Sequence, residues 1–345
     1  MLALRWHSRG DIRIDDVPRP PSPGPGDVQL RVLWCGLCGT DVEEYVRGPV
    51  FIPADAAPIV LGHELSGEVV AVGEGVDGLR IGDVVGMDGL SGCQVCRFCV
   101  TGRVNLCDEL SAVGLMRDGG LAEYVNVGAA TCVPIAPGLP LEAGALAETL
   151  AVGVRAARQG GVAPGHTVAV VGGGAVGLLA AQAVRAMGAS RVILIEPRAD
   201  RRDVAHALGI DVVIAPDELE TVADHIAIAI ECSGTSAGQR TALRSLDKGG
   251  RLVLVGVGQE PLPFSAVDLI VAEIEVVGSL SHLVEEDFAT AVRFIESGLV
   301  DIQPLVSHRV SLRDARDVLL RVVESPQDYL KVLVTPREEL LEDIP

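Results

Sequence analysis

From residue 167 onward, short apolar runs alternate with helix-length amphipathic stretches, and this rhythm constrains the fold more than any other feature of the chain. The runs are Thr167–Val171, 191–196, 211–214, Ile226–Glu231, 251–256 and 274–278. Each is too short for a helix and rich in Val, Ile, Leu and Ala, the pattern of parallel strands buried on both faces. The intervening stretches, clearest at 175–187 and 198–208, repeat apolar residues at helical spacing. Six strands joined by helical crossovers predict a doubly wound parallel sheet with strand order 3-2-1-4-5-6.

The rest of the chain follows a different pattern. Up to about residue 150, β-like runs at 28–32, 65–72, 83–87 and 122–127 are broken by Gly and Pro, which predicts an irregular β-rich barrel. Two amphipathic helices, 287–297 and 313–325, and a last strand, Lys331–Thr335, are expected to return to that first domain. The expected division is 1–153, 154–289 and 290–345, giving two domains that share a cleft, as suits a chain longer than the roughly 250–300 residues of a single core. The end, 337–345, reads as a loose acidic tail.

A formal charge of −19 would repel nucleic-acid phosphates and anionic membranes, so neither is an expected partner. The first residues lack the long apolar core of a secretory signal, and the apolar stretch 168–184 holds four glycines and Gln182, reading as strand, turn and helix rather than a membrane span. A cytoplasmic protein is expected. Its eight cysteines then point to metal ligation or reactive thiols rather than a disulfide framework.

Strand Thr167–Val171 runs into Gly172-Gly173-Gly174-Ala175-Val176-Gly177 and then a helix, the context that the G-x-G-x-x-G phosphate motif requires. Gly172 makes the tight turn, Gly174 lets the backbone approach a pyrophosphate, and Gly177 lets helix and strand pack closely. The next strand ends in Glu196, 19 residues past Gly177, where a carboxylate accepts both ribose hydroxyls of NAD and repels the 2′-phosphate of NADP. Arg198, Arg201 and Arg202 follow closely and could hold a phosphate, but Arg201 is read as an adenine or ribose contact, and NAD is the expected cofactor. A glycine-rich turn that binds nothing is the plain alternative.

Two constellations carry metal chemistry. Cys93, Cys96, Cys99 and Cys107 place four thiols within 15 residues, the short spacing of a tetrahedral Cys₄ zinc. With no histidine and no open place the ion would be structural, stapling a loop that has little core of its own. Iron–sulfur ligation competes, since the first three cysteines resemble ferredoxin spacing, but no second cluster motif follows. The other constellation is dispersed: Cys35 and Cys38 in the run to Asp41, His63-Glu64 after Gly62, and Glu148 between Ala147 and Thr149. Spacing alone does not join them. Cys35 and Cys38 read equally as a redox pair, His63 as a satisfied buried histidine, and Glu148 as the cap of a helix.

Taken together these residues resemble, over essentially the whole chain, the zinc-containing medium-chain alcohol and polyol dehydrogenases. The matching stretches are CGLCGTD (35–41), LGHELSGEV (61–69), the cysteine lobe 93–107, GGLAEYV (119–125), the glycine motif, ECSG (231–234) and KGGRLVLVG (248–256), in the family's order. The resemblance implies a GroES-like β-rich catalytic domain plus a doubly wound parallel-sheet Rossmann domain, with two zinc ions per subunit, one structural and one catalytic in the cleft. Cys38, His63 and Glu148 would be the catalytic ligands, and Glu64 either a ligand or the group that exchanges with substrate or water. Carboxylates stand where other alcohol dehydrogenases use a second cysteine, which suits an oxygen-rich substrate. The implied chemistry has zinc acidify the alcohol, Thr40 take its proton, and hydride pass to nicotinamide. Many relatives place a histidine five residues after the ligand cysteine as the outer end of a proton relay. Here that position is Glu43, a carboxylate that either replaces it or lies as a solvated surface acid. Val176, Val255, Ser279 and Leu280 complete the expected cofactor contacts, with Ser281 and His282 nearby. Cys35, Cys132 and Cys232 are left as small apolar bystanders.

The segments 38–53 and 148–158 are similar to those of 2,3-butanediol dehydrogenases, so vicinal diols and α-hydroxyketones lead as substrates. Polyols, cyclitols, amino-cyclitols and L-threonine are the nearest alternatives. Two other classes compete: a non-catalytic NAD-binding structural or regulatory protein, opposed by Cys38, Thr40, His63 and Glu148 together, and a zinc-free quinone reductase, opposed by the complete cysteine lobe. The resemblance also implies a homodimer or homotetramer joined through apolar strand edges.

Overall fold

The computed structural model describes residues 1–222 and 225–342. The chain divides into two compact units: Met1–Glu148 with Leu283–Val292 and the chain from Val306 on, and Thr149–His282 with Arg293–Leu305.

In the second unit the six expected strands form one parallel sheet, in the order 3-2-1-4-5-6 when numbered along the chain. The central strands Thr167–Val171, Arg191–Ile195 and Ile226–Glu231 are buried almost throughout, as both-face coverage demands. Helices Ala175–Ala186 and Ala199–Ala207 follow the first two strands, so the apolar stretch 168–184 is a strand, a turn and a helix. Among the described residues no helix is long and apolar enough to cross a membrane. The sixth strand, Glu275–Gly278, is an edge and differs from the rest. Val276 is 36% exposed, and Val267, Ile270 and Val271 just before it are 64%, 71% and 68% exposed.

The first unit is built around the long strand Asp27–Gly36, which pairs antiparallel with Glu64–Val72, Tyr124–Gly128 and Lys331–Thr335. Leu4, Trp6, Val28, Leu30, Leu65, Val85, Leu121, Leu319 and Val332 join one hydrophobic core, so the returning C-terminal segment is integral to it. Pairing of Leu333 with Gly36 and Val334 with Cys35 brings the head of the last strand beside Leu37, whose N–H donates to the Val332 carbonyl at 3.0 Å.

Three expectations are corrected. The helix expected at 287–297 opens with a π turn, Val284–Phe288, and is α-helical only over Ala289–Glu296. Buried Asp287 accepts the Leu283 N–H at 2.9 Å and so caps a wider first turn. Glu148 does not open its helix, since that helix, Ala143–Gly160, starts five residues earlier. The acidic end is not wholly loose: Glu339–Glu342 forms a helical turn, with Arg337 paired to Glu339 at 2.5 Å, and residues 343–345 lie outside those described.

Candidate active site

Cys38 is the N-cap of helix Gly39–Arg47, and Asp41 closes the cap by accepting the Cys38 N–H at 2.9 Å. Burial pushes the Asp41 carboxyl up to about 6, against the pull of His63 and of that N–H. Gly62, packed so that a Cβ would lie 2.6 Å from Cys35 Sγ, leads into His63 and Glu64. One donor atom each from Cys38, His63 and Glu64 then lies within 4.8 Å of the others. Burial opposes charge on the His63 ring, but the Cys38 thiolate outweighs it, with Asp41 and Glu148 adding to the effect, so the ring's pKa is well above its usual value. Its Nδ1 is buried with no hydrogen-bond partner among the described residues. A cysteine sulfur, an imidazole nitrogen and a carboxylate oxygen this close together make a donor set of borderline softness that fits zinc.

Around this cluster the other expected residues fall at different distances. Glu148, buried on the Ala143–Gly160 helix, places a negative charge that acts on both His63 and Lys331. Thr40 Oγ1 lies 3.3 Å from His63 Nε2, which puts a hydroxyl beside the donors. Glu43, three residues further along that helix, faces Arg47 at 3.5 Å in an i,i+4 pair. Cys35 is buried in strand Asp27–Gly36, and burial raises its thiol well above the usual range. Cys132 is likewise pushed up to about 12 by burial, and Cys232 is raised by the same cause, so all three are poor nucleophiles.

Lys331 was missed from the sequence. It is one of only two lysines among 28 basic residues, and it heads an otherwise apolar strand. Its Nζ donates to both oxygens of Glu64, at 2.7 and 2.6 Å, in a pair whose side chains are 5% and 2% exposed. Burial opposes the charged lysine, but Glu64 and Cys38 outweigh it and raise its pKa.

The four lobe cysteines also have their sulfurs within 4.8 Å of one another. Backbone N–H groups point at the sulfurs: Cys96 to Cys93 at 3.3 Å, Cys99 to Cys96 at 3.4 Å, and both Cys93 and Glu109 to Cys107 at 3.3 Å. These donors favour thiolates, and the Cys99 N–H is the main cause that brings Cys96 down to about 6, while burial drives Cys99 up to about 12. Four cysteine sulfurs this close to one another form a donor set that a single cation satisfies together.

In the second unit, Gly172 takes φ +103 at the turn, and a Cβ on Gly177 would lie 1.8 Å from the Gly172 carbonyl oxygen. Gly174 is the helix N-cap without a side-chain cap, and a Cβ there would meet nothing within 4 Å, so the first helical N–H groups face open space. Glu196 lies against this turn, accepting the Gly173 N–H at 2.5 Å and the Arg198 N–H at 2.8 Å. Each oxygen keeps a lone pair for a ribose hydroxyl. The arginines are already engaged: Arg198 with Asp200 at 2.7 Å, and Arg202 with the carbonyls of Glu196 and Pro197 at 2.9 and 2.7 Å. Arg201 is half-buried, and burial lowers its pKa. Val176 lies in the first turn of the helix, while Val255 and Ser279-Leu280 follow the fifth and sixth strands at the same edge of the sheet. Ser279 Oγ is buried without a hydrogen-bond partner among the described residues. Glu231, whose role the sequence did not reveal, is buried beneath the turn and accepts N–H groups of Ser233 and Gly234 at 2.7 and 3.1 Å, fixing the loop that abuts Gly172.

Residues 24–137 match the alcohol dehydrogenase GroES-like domain family, and residues 175–297 the zinc-binding dehydrogenase family. The chain is 31% identical to the (R,R)-butanediol dehydrogenase of Bacillus subtilis over 97% of its length and 100% of that protein. It is 33% identical to human sorbitol dehydrogenase, over 91% of this chain and 90% of the other. A crystal structure of a putative zinc-binding dehydrogenase from Sinorhizobium meliloti bound to NADP superposes with a TM-score of 0.87 at 33% identity, covering 97% of this chain and 99% of the other. With two donor clusters, a glycine turn opening on a helix N-terminus, and relatives of this similarity along nearly its whole length, the chain belongs to the zinc-containing medium-chain alcohol and polyol dehydrogenases.

Proposed function

We propose that this protein oxidises a vicinal diol, or reduces the matching α-hydroxyketone, with NAD as its cofactor. The observation that carries this reading is the donor cluster itself: one cysteine sulfur, one imidazole and the Glu64 carboxylate, with the Thr40 hydroxyl 3.3 Å from His63. Such a set leaves room for a substrate oxygen and favours a hydroxyl-rich ligand. The butanediol dehydrogenase to which the chain is similar points to the same class.

Cys38, His63 and Glu148 are the residues assigned to hold the catalytic zinc, with Glu64, whose oxygen lies in the same cluster, either a further ligand or the group that exchanges with substrate or water, and Cys93, Cys96, Cys99 and Cys107 hold the structural one. Bound there, the catalytic ion supplies Lewis-acid polarisation of the substrate oxygen, and nicotinamide supplies the hydride acceptor. Thr40 Oγ1 receives the hydroxyl proton, and Glu43, one turn along the same helix, is the next acceptor toward solvent. Replacement Glu43→Gln is therefore expected to lower turnover about tenfold and alter its pH profile, and an unchanged rate and profile would remove Glu43 from the relay. In the second unit, Gly172, Gly174, Val176 and Gly177 seat the pyrophosphate, Glu196 the adenosine ribose, and Arg201 the adenine or ribose. Val255, Ser279 and Leu280 border the nicotinamide.

Two observations favour NAD over NADP: the carboxylate of Glu196 at the ribose position, and the existing partners of Arg198 and Arg202. The exposed apolar edge at Val276, with Val267, Ile270 and Val271, supports assembly into a homodimer or homotetramer. Eight cysteines, five of them gathered in the two donor clusters, suit a reducing compartment, and the cytoplasm is the proposed location.

The test is NADH formation across a panel of vicinal diols, linear polyols, cyclitols and threonine, with NADP in parallel and with a chelator-stripped sample. The expected result is turnover of a vicinal diol with NAD, lost on stripping and restored by zinc. Turnover confined to cyclitols or threonine would overturn the substrate class, and preference for NADP would overturn the cofactor assignment.

A further inference from the structure

We propose that Glu231 is a positioning residue for the nicotinamide half of the dinucleotide, shaping the two loops on that side of the crevice without touching the cofactor. The inference rests on the reading that this unit binds NAD. Strand order divides the crevice. Thr167–Val171 lies at the centre of the sheet and ends in the glycine turn, with Arg191–Ile195 on one side of it and Ile226–Glu231 and then Arg251–Leu254 on the other. Glu196 takes the adenosine side, so the loops after the latter two strands face the other half of a dinucleotide laid across the turn.

Glu231 holds both of those loops. It ends its strand fully buried. Its Oε1 accepts the N–H groups of Ser233 and Gly234, at 2.7 and 3.1 Å, and also the Ser233 hydroxyl. Its backbone carbonyl accepts the N–H groups of Val255 and Gly256, at 2.9 and 3.0 Å. The loops also pack on each other and on the turn: a Cβ on Gly256 would lie 2.1 Å from the Gly234 nitrogen, and one on Gly172 would lie 3.1 Å from the Ser233 nitrogen. A shift of Ser233-Gly234 is therefore felt at all three places.

Each hydrogen-bond partner of the carboxylate among the described residues is a donor, so the loop closes around an anion. Burial raises the carboxyl's pKa, and the Ser233 and Gly234 donors oppose that rise. An amide of the same size has only one acceptor oxygen and turns an NH₂ group toward a backbone N–H, which pushes Ser233-Gly234 away. Glu196 keeps its own bonds to the Gly173 and Arg198 N–H groups, so the adenosine side is left intact.

The test is calorimetric titration of the parent, Glu231→Gln and Ser233→Ala proteins with NADH and with ADP-ribose, which lacks the nicotinamide ring. Glu231→Gln should bind NADH about tenfold more weakly, the scale of one lost charge-assisted hydrogen bond, while ADP-ribose affinity stays within about twofold of the parent's. Ser233→Ala removes one donor and should show the same split at about threefold. Equal weakening of both ligands, or unchanged NADH affinity in a folded Glu231→Gln, overturns the proposal. If Glu231→Gln does not fold, unchanged NADH affinity in Ser233→Ala overturns it instead. A parent that binds neither ligand overturns the NAD reading beneath it.

Discussion

A Cys107→Ser protein is expected to lose one equivalent of metal and at least about 3 kcal/mol of stability, seen as a lower thermal transition together with a fall in zinc content from two to one per chain. The lobe from Cys93 to Cys107 has little else to hold it. It consists of two single 3₁₀ turns, Cys99–Thr101 and Val104–Leu106, and its apolar residues Val95 and Val100 are 81% and 67% exposed. Two backbone N–H groups, those of Cys93 and Glu109, point at Cys107 Sγ. A serine oxygen is shorter and harder and binds neither the metal nor those donors at sulfur's distance. Unaltered zinc content and an unaltered transition would show that the lobe needs no ion.

Replacement Gly177→Ala is expected to cost about 3 kcal/mol or more and to weaken NAD binding at least about 100-fold, measured by thermal unfolding and by calorimetric titration with NAD. The added methyl would lie 1.8 Å from the Gly172 carbonyl oxygen. That atom is backbone, so the turn itself must open. Gly174→Ala is the contrast: its methyl meets nothing within 4 Å, so stability should change by about 0.5 kcal/mol or less while NAD binding still falls, because the methyl enters the space through which a pyrophosphate approaches. Equal losses of stability in the two variants would contradict this account of the turn.

What could be read from the sequence was what local spacing encodes. The strand order, the glycine turn and the four-cysteine lobe each depend on residues a few positions apart, and each has the predicted form. Strand ends were read one or two residues too far at Glu196 and Gly256, because there the chain leaves the ladder to make the loops that carry the site. Tertiary partners were invisible. Glu44 looked like any acid on a helix, yet it is fully buried and accepts the N–H groups of Val50, Phe51 and Ile52, anchoring the loop after that helix. Lys331 reads as one odd residue in an apolar strand, and only the fold reveals its carboxylate.

The pairing of Lys331 with Glu64 spans 267 positions, and the whole Thr149–His282 segment lies between them. During synthesis, the strands that flank Cys38 and His63 therefore leave the ribosome long before the strand that completes their core, and Glu64 waits for its counter-ion throughout. The glycine turn and its sheet can be complete by then, since all their contacts lie within a shorter span. Assembly order is thus written into the connectivity: the dinucleotide-type sheet can mature first, and the donor cluster settles last, when the returning strand arrives.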